Sequence, residues 1–398
     1  MQGHKLLHNL IQKSSTPIHK KRIGALTTAA GALLIGKRLT LTGIARSSLT
    51  KAKERHAIRG MDRLLGNEQL QREQAEIYKI LASCLISGRH SIAILVDWSC
   101  VNKKKNWYIL RASLALKGRS YTIYQEIHPV KKLNSPQAEK PFLKNLKSIL
   151  PTGIKPIIIT DAGFRAPWFK AAEALGFDWI GRVRNKNQYR VKSETAWDYT
   201  ASLYQQATRK PKIIGDVVLA KSNEIACRLV LVKKRKKNRK HKNRNGNRTN
   251  NNASNRCAKR ELEPWLLATS LPVDTDKDVI RLIYLYETRM QIEEDFRDTK
   301  SHQYGFGLRY SLTNQAKRLE ILLLIATLAS MVSWLIALSA HRKKLQLDYQ
   351  SNSIKNRTVL SVTYLACQLV RKKIIFTQKE LLRSLDELRQ MAQIGAMP

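Results

Sequence analysis

Three acids occupy positions where a carboxylate could do chemistry. Asp97 ends the apolar run of residues 92–96 in "SIAILVDWS", Asp161 ends another in "KPIIITDAGF", and Glu293 lies in "YETRMQIEEDFRDTKSH". A carboxylate at a strand end often serves only to shape a turn or cap a helix. Three that converged would be costly to ionise without a cation, because like charges repel strongly in a low-dielectric site. A divalent metal resolves that cost, and hard oxygen donors without His or Cys select Mg²⁺, or Mn²⁺ in its place, over zinc. Two such ions about 4 Å apart activate an attacking oxygen and stabilise the leaving oxygen of a phosphodiester.

The helix expected over residues 286–302 sharpens this reading. At about 100° per residue, Tyr286, Arg289, Glu293 and Lys300 fall within about 60° of one another. Glu293 is then a lone carboxylate among two cations and a phenol. Arg289 and Lys300 could hold phosphates beside a metal. The alternative is a surface ladder of Arg, Glu and Lys. Leu285, Ile292 and Phe296 line a flank suited to burial, which leaves Glu287, Glu294, Asp295 and Asp298 as solvated partners of nearby Arg and Lys.

The elements that must position these residues follow from periodicity. "SIAILVDWS" reads as a buried strand, and "NWYILRASLALKGRSYTIYQEIHP" as a hairpin turning at "KGRS". "SPQAEKPFLKNLKSIL" is a helix capped by Ser135 with Pro136 in its first turn. The strand before Asp161, a helix closed by Gly176 and the strand "FDWIGRVR" come next. That order suits an α/β fold, a mixed sheet with helices on its faces. After residue 186 the pattern loosens into short strands. Residues 233–260 then form a basic, asparagine-rich tract without apolar period, which reads as a disordered loop. "EPWLLATSLPV" restores a strand. The first ninety residues and the segment from about Leu345 are helical, and "LTLTGIARSSLTKAKERH" suggests either a helix-turn-helix or a plain bundle with a basic face.

Composition bounds the function classes. At 398 residues with a net charge of +42, the chain has room for several domains and points to a polyanionic partner, nucleic acid before acidic membrane. Its five cysteines are scattered with no CxxC pair, as expected of reduced thiols in a cytosol and not of a zinc site. The N-terminal residues lack the apolar stretch of an export signal. Residues 321–340 are free of charge and long enough to span a membrane, but basic residues flank both ends, and a helix buried in a large core has the same composition.

These residues carry a resemblance. The spacing of Tyr286, Arg289, Glu293 and Lys300 matches the Y-x2-R-x3-E-x6-K signature of bacterial cut-and-paste transposases of the insertion-sequence-four family. "LVDWS", "LRASLALKGRS", "TDAGF" and "RMQIEEDFRDTK" resemble that family in the same order, and the similarity covers nearly the whole chain outside the basic tract. The resemblance implies an RNase H-like core in which Asp97, Asp161 and Glu293 form the catalytic, metal-binding triad for two Mg²⁺ ions. It implies that Tyr286, Arg289 and Lys300 contact DNA phosphates and that Trp265 stacks on a base flipped out near the transposon end. It also implies DNA cleavage through a terminal hairpin, strand transfer of 3′-OH ends into target double-stranded DNA, a homodimer on paired ends and, in some cases, a host DNA-bending protein. No membrane is involved, and the protein is expected in the bacterial cytoplasm at the nucleoid.

The expected organisation is a helical end-binding region (1–90), the first part of the core (91–186), a β-rich insertion (187–273), the second part of the core with the Glu293 helix (274–344) and a helical C-terminal region (345–398). Two other readings remain at this point: a nuclease of the same fold without strand transfer, and a basic DNA-binding protein whose carboxylates are structural.

Overall fold

A computed structural model describes residues 2–14, 18–86, 88, 91–102, 106–184, 187–235, 263–351, 353–354 and 357–393. The expected disordered loop therefore lies, from residue 236 on, outside the described residues. In chain order the elements begin with helices α1 to α5 (Gln2–Lys13, Lys20–Gly36, Leu41–Arg46, Glu54–Leu65, Glu68–Leu85). Strands β1 to β3 (Ser91–Asn102, Trp107–Ala115, Ser120–Pro129), helix α6 (Pro136–Ile149), β4 (Lys155–Thr160) and α7 (Ala166–Ala174) follow. Strands β5 to β10 come next (Asp178–Val183, Gln188–Val191, Asp198–Tyr199, Lys212–Leu219, Ile225–Val232, Trp265–Thr269). Helices α8 to α12 (Asp276–Thr288, Met290–Lys300, Ala316–Arg342, Val362–Arg371, Gln378–Ala392) complete a mixed α/β chain. It divides into two units, residues 1–157 with 288–398 and residues 158–287.

In the first unit, β1 pairs antiparallel with β2 and β2 with β3. The turn at "KGRS" forms as expected: Gly118 takes φ +75°, open to glycine without strain, and Leu116 N–H donates to the Arg119 carbonyl at 3.0 Å. β1 is longer than the apolar run suggested. It continues to Asn102, so Asp97 sits inside the strand, opposite Arg111 of β2, and not at its end. The more mixed residues 97–102 stay extended because the hairpin partner satisfies their backbone groups. Ser135 precedes α6 as expected, but its hydroxyl donates back to the Lys132 carbonyl at 2.8 Å and does not cap the helix. α10 contains the uncharged stretch, and 94% of its most apolar window is buried. It packs on β3, α2, α11 and α12, which accounts for an apolar surface on every side. α3 and α4 pack together, and Arg55, Arg59 and Arg63 are exposed along one side of α4.

The second unit starts within β4 and carries β5 to β10. Its antiparallel pairs run β5–β10–β9–β8–β6–β7, with α7 against β5 and β9. Phe169 of α7 stacks on Trp179 of β5 with ring centres 4.1 Å apart, directly over Gly181, where any side chain would clash with the Phe169 ring. Gly176 closes the α7 turn at φ +76°.

Candidate active site

The expected single helix through the signature is two helices. α8 ends at Thr288 and α9 starts at Met290, with Arg289 between them at φ −50°, ψ −35°. Those angles are themselves in the helical region, so the break is one residue wide. Tyr286 belongs to the second unit, and Arg289, Glu293 and Lys300 to the first.

In the first unit, Asp97 and Glu293 share one guanidinium. Arg289 Nη2 donates to Glu293 Oε1 at 2.8 Å, and Arg289 Nη1 lies 3.9 Å from Asp97 Oδ2. The backbone N–H of Trp98 also donates to Asp97 Oδ1 at 2.8 Å. Asp97 is largely enclosed, with 16% of its side chain exposed, whereas Glu293 is open at 46%. Lys300 reaches the same strand, where its ammonium donates to Ser99 Oγ at 2.5 Å and to the Cys100 carbonyl at 3.3 Å. Burial, with Arg111 and Arg309 nearby, lowers the Lys300 ammonium to about 8. Two carboxylates, a guanidinium and a half-dehydrated ammonium thus gather over β1. Among the described residues, no group of three or more His, Cys, Asp or Glu side chains is gathered for a metal ion. As a donor set, the two carboxylates around Arg289 are hard oxygens of the kind that suits Mg²⁺.

In the second unit, Asp161 follows β4 directly and accepts the backbone N–H of Gly163 at 2.8 Å, which shapes the turn after the strand. Trp265 begins β10, and its ring meets that of Tyr286 edge-on, with centroids 4.9 Å apart at 78°. Lys234 stands over the Trp265 ring at 5.3 Å and forms an ion pair with Glu287. Tyr286 is buried, at 4% exposure. Arg182 and Arg184 both approach Glu263, just before Trp265.

The acids of α9 correct the expectation that they are solvated. Asp295 and Asp298 are each only 7% exposed. Asp295 Oδ2 accepts from Arg111 Nη1 at 3.1 Å, Ser113 Oγ at 3.2 Å and Thr122 Oγ1 at 2.7 Å. Asp298 pairs with Arg119 at 3.0 Å, and burial, outweighing that cation, raises its carboxyl to about 7. Glu294 pairs with Arg119 and Arg297. Two signals in the sequence could have found this. Arg111 is a lone cation in the apolar strand "YILRASLAL", and Asp295 and Thr299 share a helical face with Ile292 and Phe296.

No curated protein matches the chain. A family profile described as a transposase DDE domain matches residues 89–331, a span that includes Asp97, Asp161, Glu293 and both cations of the signature. With well over half its length inside that match, the chain belongs to the transposase DDE domain family.

Proposed function

We propose that this transposase moves its element by cut-and-paste transposition. In this reading Asp97, Asp161 and Glu293 are the catalytic carboxylates on an RNase H-like core, and Tyr286, Arg289 and Lys300 hold DNA phosphates. The chain falls with the insertion-sequence-four enzymes and resembles the transposase of the tetracycline-resistance composite transposon. Residues 1–90 and the β-rich insertion grip the transposon end. Hairpin formation and its resolution precede transfer of the 3′-OH ends to target DNA, within a homodimer and with a host DNA-bending protein as a possible accessory.

The observation that supports this most is the gathering of Asp97, Glu293, Arg289 and Lys300 over β1. The carboxylates would hold Mg²⁺ or Mn²⁺, and when bound such ions supply charge neutralisation for a phosphodiester under attack. Arg289 keeps the two carboxylates from repelling each other. Its planar fork suits a phosphate as well as a carboxylate, so an arriving DNA backbone offers it an exchange of partners. Lys300 donates to two neutral acceptors, a hydroxyl and a carbonyl, and the nearby Asp97 favours its charged form. Trp265 offers an indole face on which an extruded base could stack.

The test is incubation of the protein with a labelled transposon end and target DNA. Transposition predicts joined products. Cleavage without joining would assign a nuclease of the same family.

A further inference from the structure

Among the described residues Arg111 is the most buried cation, at 1% exposure, and none of the chemistry proposed above uses it. It stands on β2 directly across the ladder from Asp97, so the two side chains rise from the same face of the sheet at one rung. Its Nη1 donates to Asp295 Oδ2 and to Thr299 Oγ1, each at 3.1 Å, and its Nε donates to Gln125 Oε1 at 2.9 Å. The guanidinium also lies 4.5 Å over the Phe296 ring. Gln125 in turn donates to Tyr78, the Leu323 carbonyl and Thr327, which ties in α5 and α10.

We propose that the Arg111–Asp295 pair, with Thr122 and Ser113, positions Glu293 against Asp97 and so sets the spacing on which the metal-binding site depends. The proposal rests on the reading of those two carboxylates as metal ligands. Asp295 is two residues beyond Glu293, about 200° around α9, so it anchors the inner face of the helix while Glu293 stays on the outer one. Three donors converge on the single oxygen Asp295 Oδ2. If α9 slid or turned by one residue, it would leave a buried carboxylate and a buried guanidinium without partners, a costly state. A buried ion pair is weak evidence for stability, because well-packed apolar residues often serve as well; its best attested use is to fix register. Here the register it fixes is that of the helix carrying Glu293 and Lys300 on the rung carrying Asp97. Arg111 and Asp295 are positioning residues, and neither contacts DNA in this scheme.

The test compares wild type, Asp295→Asn and the milder Thr122→Val with Leu335→Ala, a fully buried site on α10 outside this network. Direct Mn²⁺ binding is followed by electron paramagnetic resonance of the free ion, alongside thermal unfolding, end-DNA binding without metal and cleavage rate. Asp295→Asn is expected to bind Mn²⁺ at least tenfold more weakly and Thr122→Val severalfold more weakly, with cleavage falling in parallel and end binding within twofold of wild type. Leu335→Ala, with an equal or larger loss of melting temperature, should keep wild-type Mn²⁺ affinity. Should Asp295→Asn fail to fold, Thr122→Val decides the matter by the same criterion. The proposal is overturned if the network variants lose stability yet keep wild-type Mn²⁺ affinity, or if Leu335→Ala weakens Mn²⁺ as much. A wild-type protein that neither binds Mn²⁺ nor cleaves DNA overturns the metal reading itself, and the proposal with it.

Discussion

At the scale of single residues, acids that are neighbours in sequence differ in what they touch. Glu293 shares Arg289 with Asp97, whereas Glu294 is held by Arg119 and Arg297. Replacing Asp97, Asp161 or Glu293 with Ala should therefore abolish cleavage while leaving end binding largely intact. Glu294→Ala removes partly exposed ion pairs, generally worth about 0–1 kcal/mol, and should leave cleavage within a few-fold of wild type. Equal inactivity of Glu293→Ala and Glu294→Ala in a nicking assay would sink the assignment. Lys300 makes a second prediction. Its ammonium is lowered to about 8, so between pH 7 and 9 it loses the charge that would hold a phosphate. The log–log salt dependence of end binding should flatten by about 0.9 over that interval, the value of one phosphate contact. Lys300→Arg, which keeps its charge, should show no such change, and an unaltered wild-type slope would remove Lys300 from the phosphate contacts.

At the scale of elements, the hairpin β2–β3, helix α6, strand β4 and the turn at Gly176 were legible because each carries its own local signal. Alternation, a turn glycine and a helix-opening proline act over a few residues. What was not legible depends on distant partners. Asp97 looked like a strand end because the apolar run stops there, but β2 continues to pair with β1 and keeps it extended. Asp295 and Asp298 looked solvated because a helical pattern does not reveal the distant guanidinium that each meets, Arg111 for Asp295, 184 residues away in sequence, and Arg119 for Asp298. The break at Arg289 has no glycine or proline to announce it. Burial of Asp298 gives a testable pH dependence. With its carboxyl raised to about 7, the folded chain keeps a proton that the unfolded chain releases near pH ~4, so stability falls as pH rises through that window and levels off above it. Arg119, Arg297, Glu294 and Asp295 are the charges that modulate it. Asp298→Asn should reduce the difference in melting temperature between pH 5 and pH 8, and a variant with the wild-type pH slope would contradict this. In the second unit, Trp265 sits edge-on to Tyr286 at the start of β10. If an extruded base stacks there as proposed, a contact of about 1–3 kcal/mol is at stake, and Trp265→Ala should slow hairpin formation roughly ten- to a hundredfold and spare the first nick. Parallel loss of both steps, with no rescue by an abasic substrate, would make Trp265 a packing residue.

For the molecule as a whole, a net charge of +42 is the widest observation, and the family match supplies its context. Such charge draws DNA from a distance but does not distinguish cutting it from coating it. About a third of it is concentrated in residues 233–260, whose structure lies almost wholly outside the described residues. The apolar pattern of α10 was open to two readings from composition alone, and its burial against β3, α2, α11 and α12 favours the core helix. Metal-dependent cleavage of DNA by carboxylates that include Glu293 underlies the proposed transposition. It is tested most directly by incubating the purified protein with the ends of its own element, with and without Mg²⁺, and resolving bound, nicked, hairpin and joined DNA. The account predicts nicked and hairpin DNA only with Mg²⁺, and only bound DNA with Glu293→Ala. Tight binding by the wild-type protein with no cleavage in Mg²⁺ or Mn²⁺ would contradict it and leave a DNA-binding protein whose carboxylates are structural.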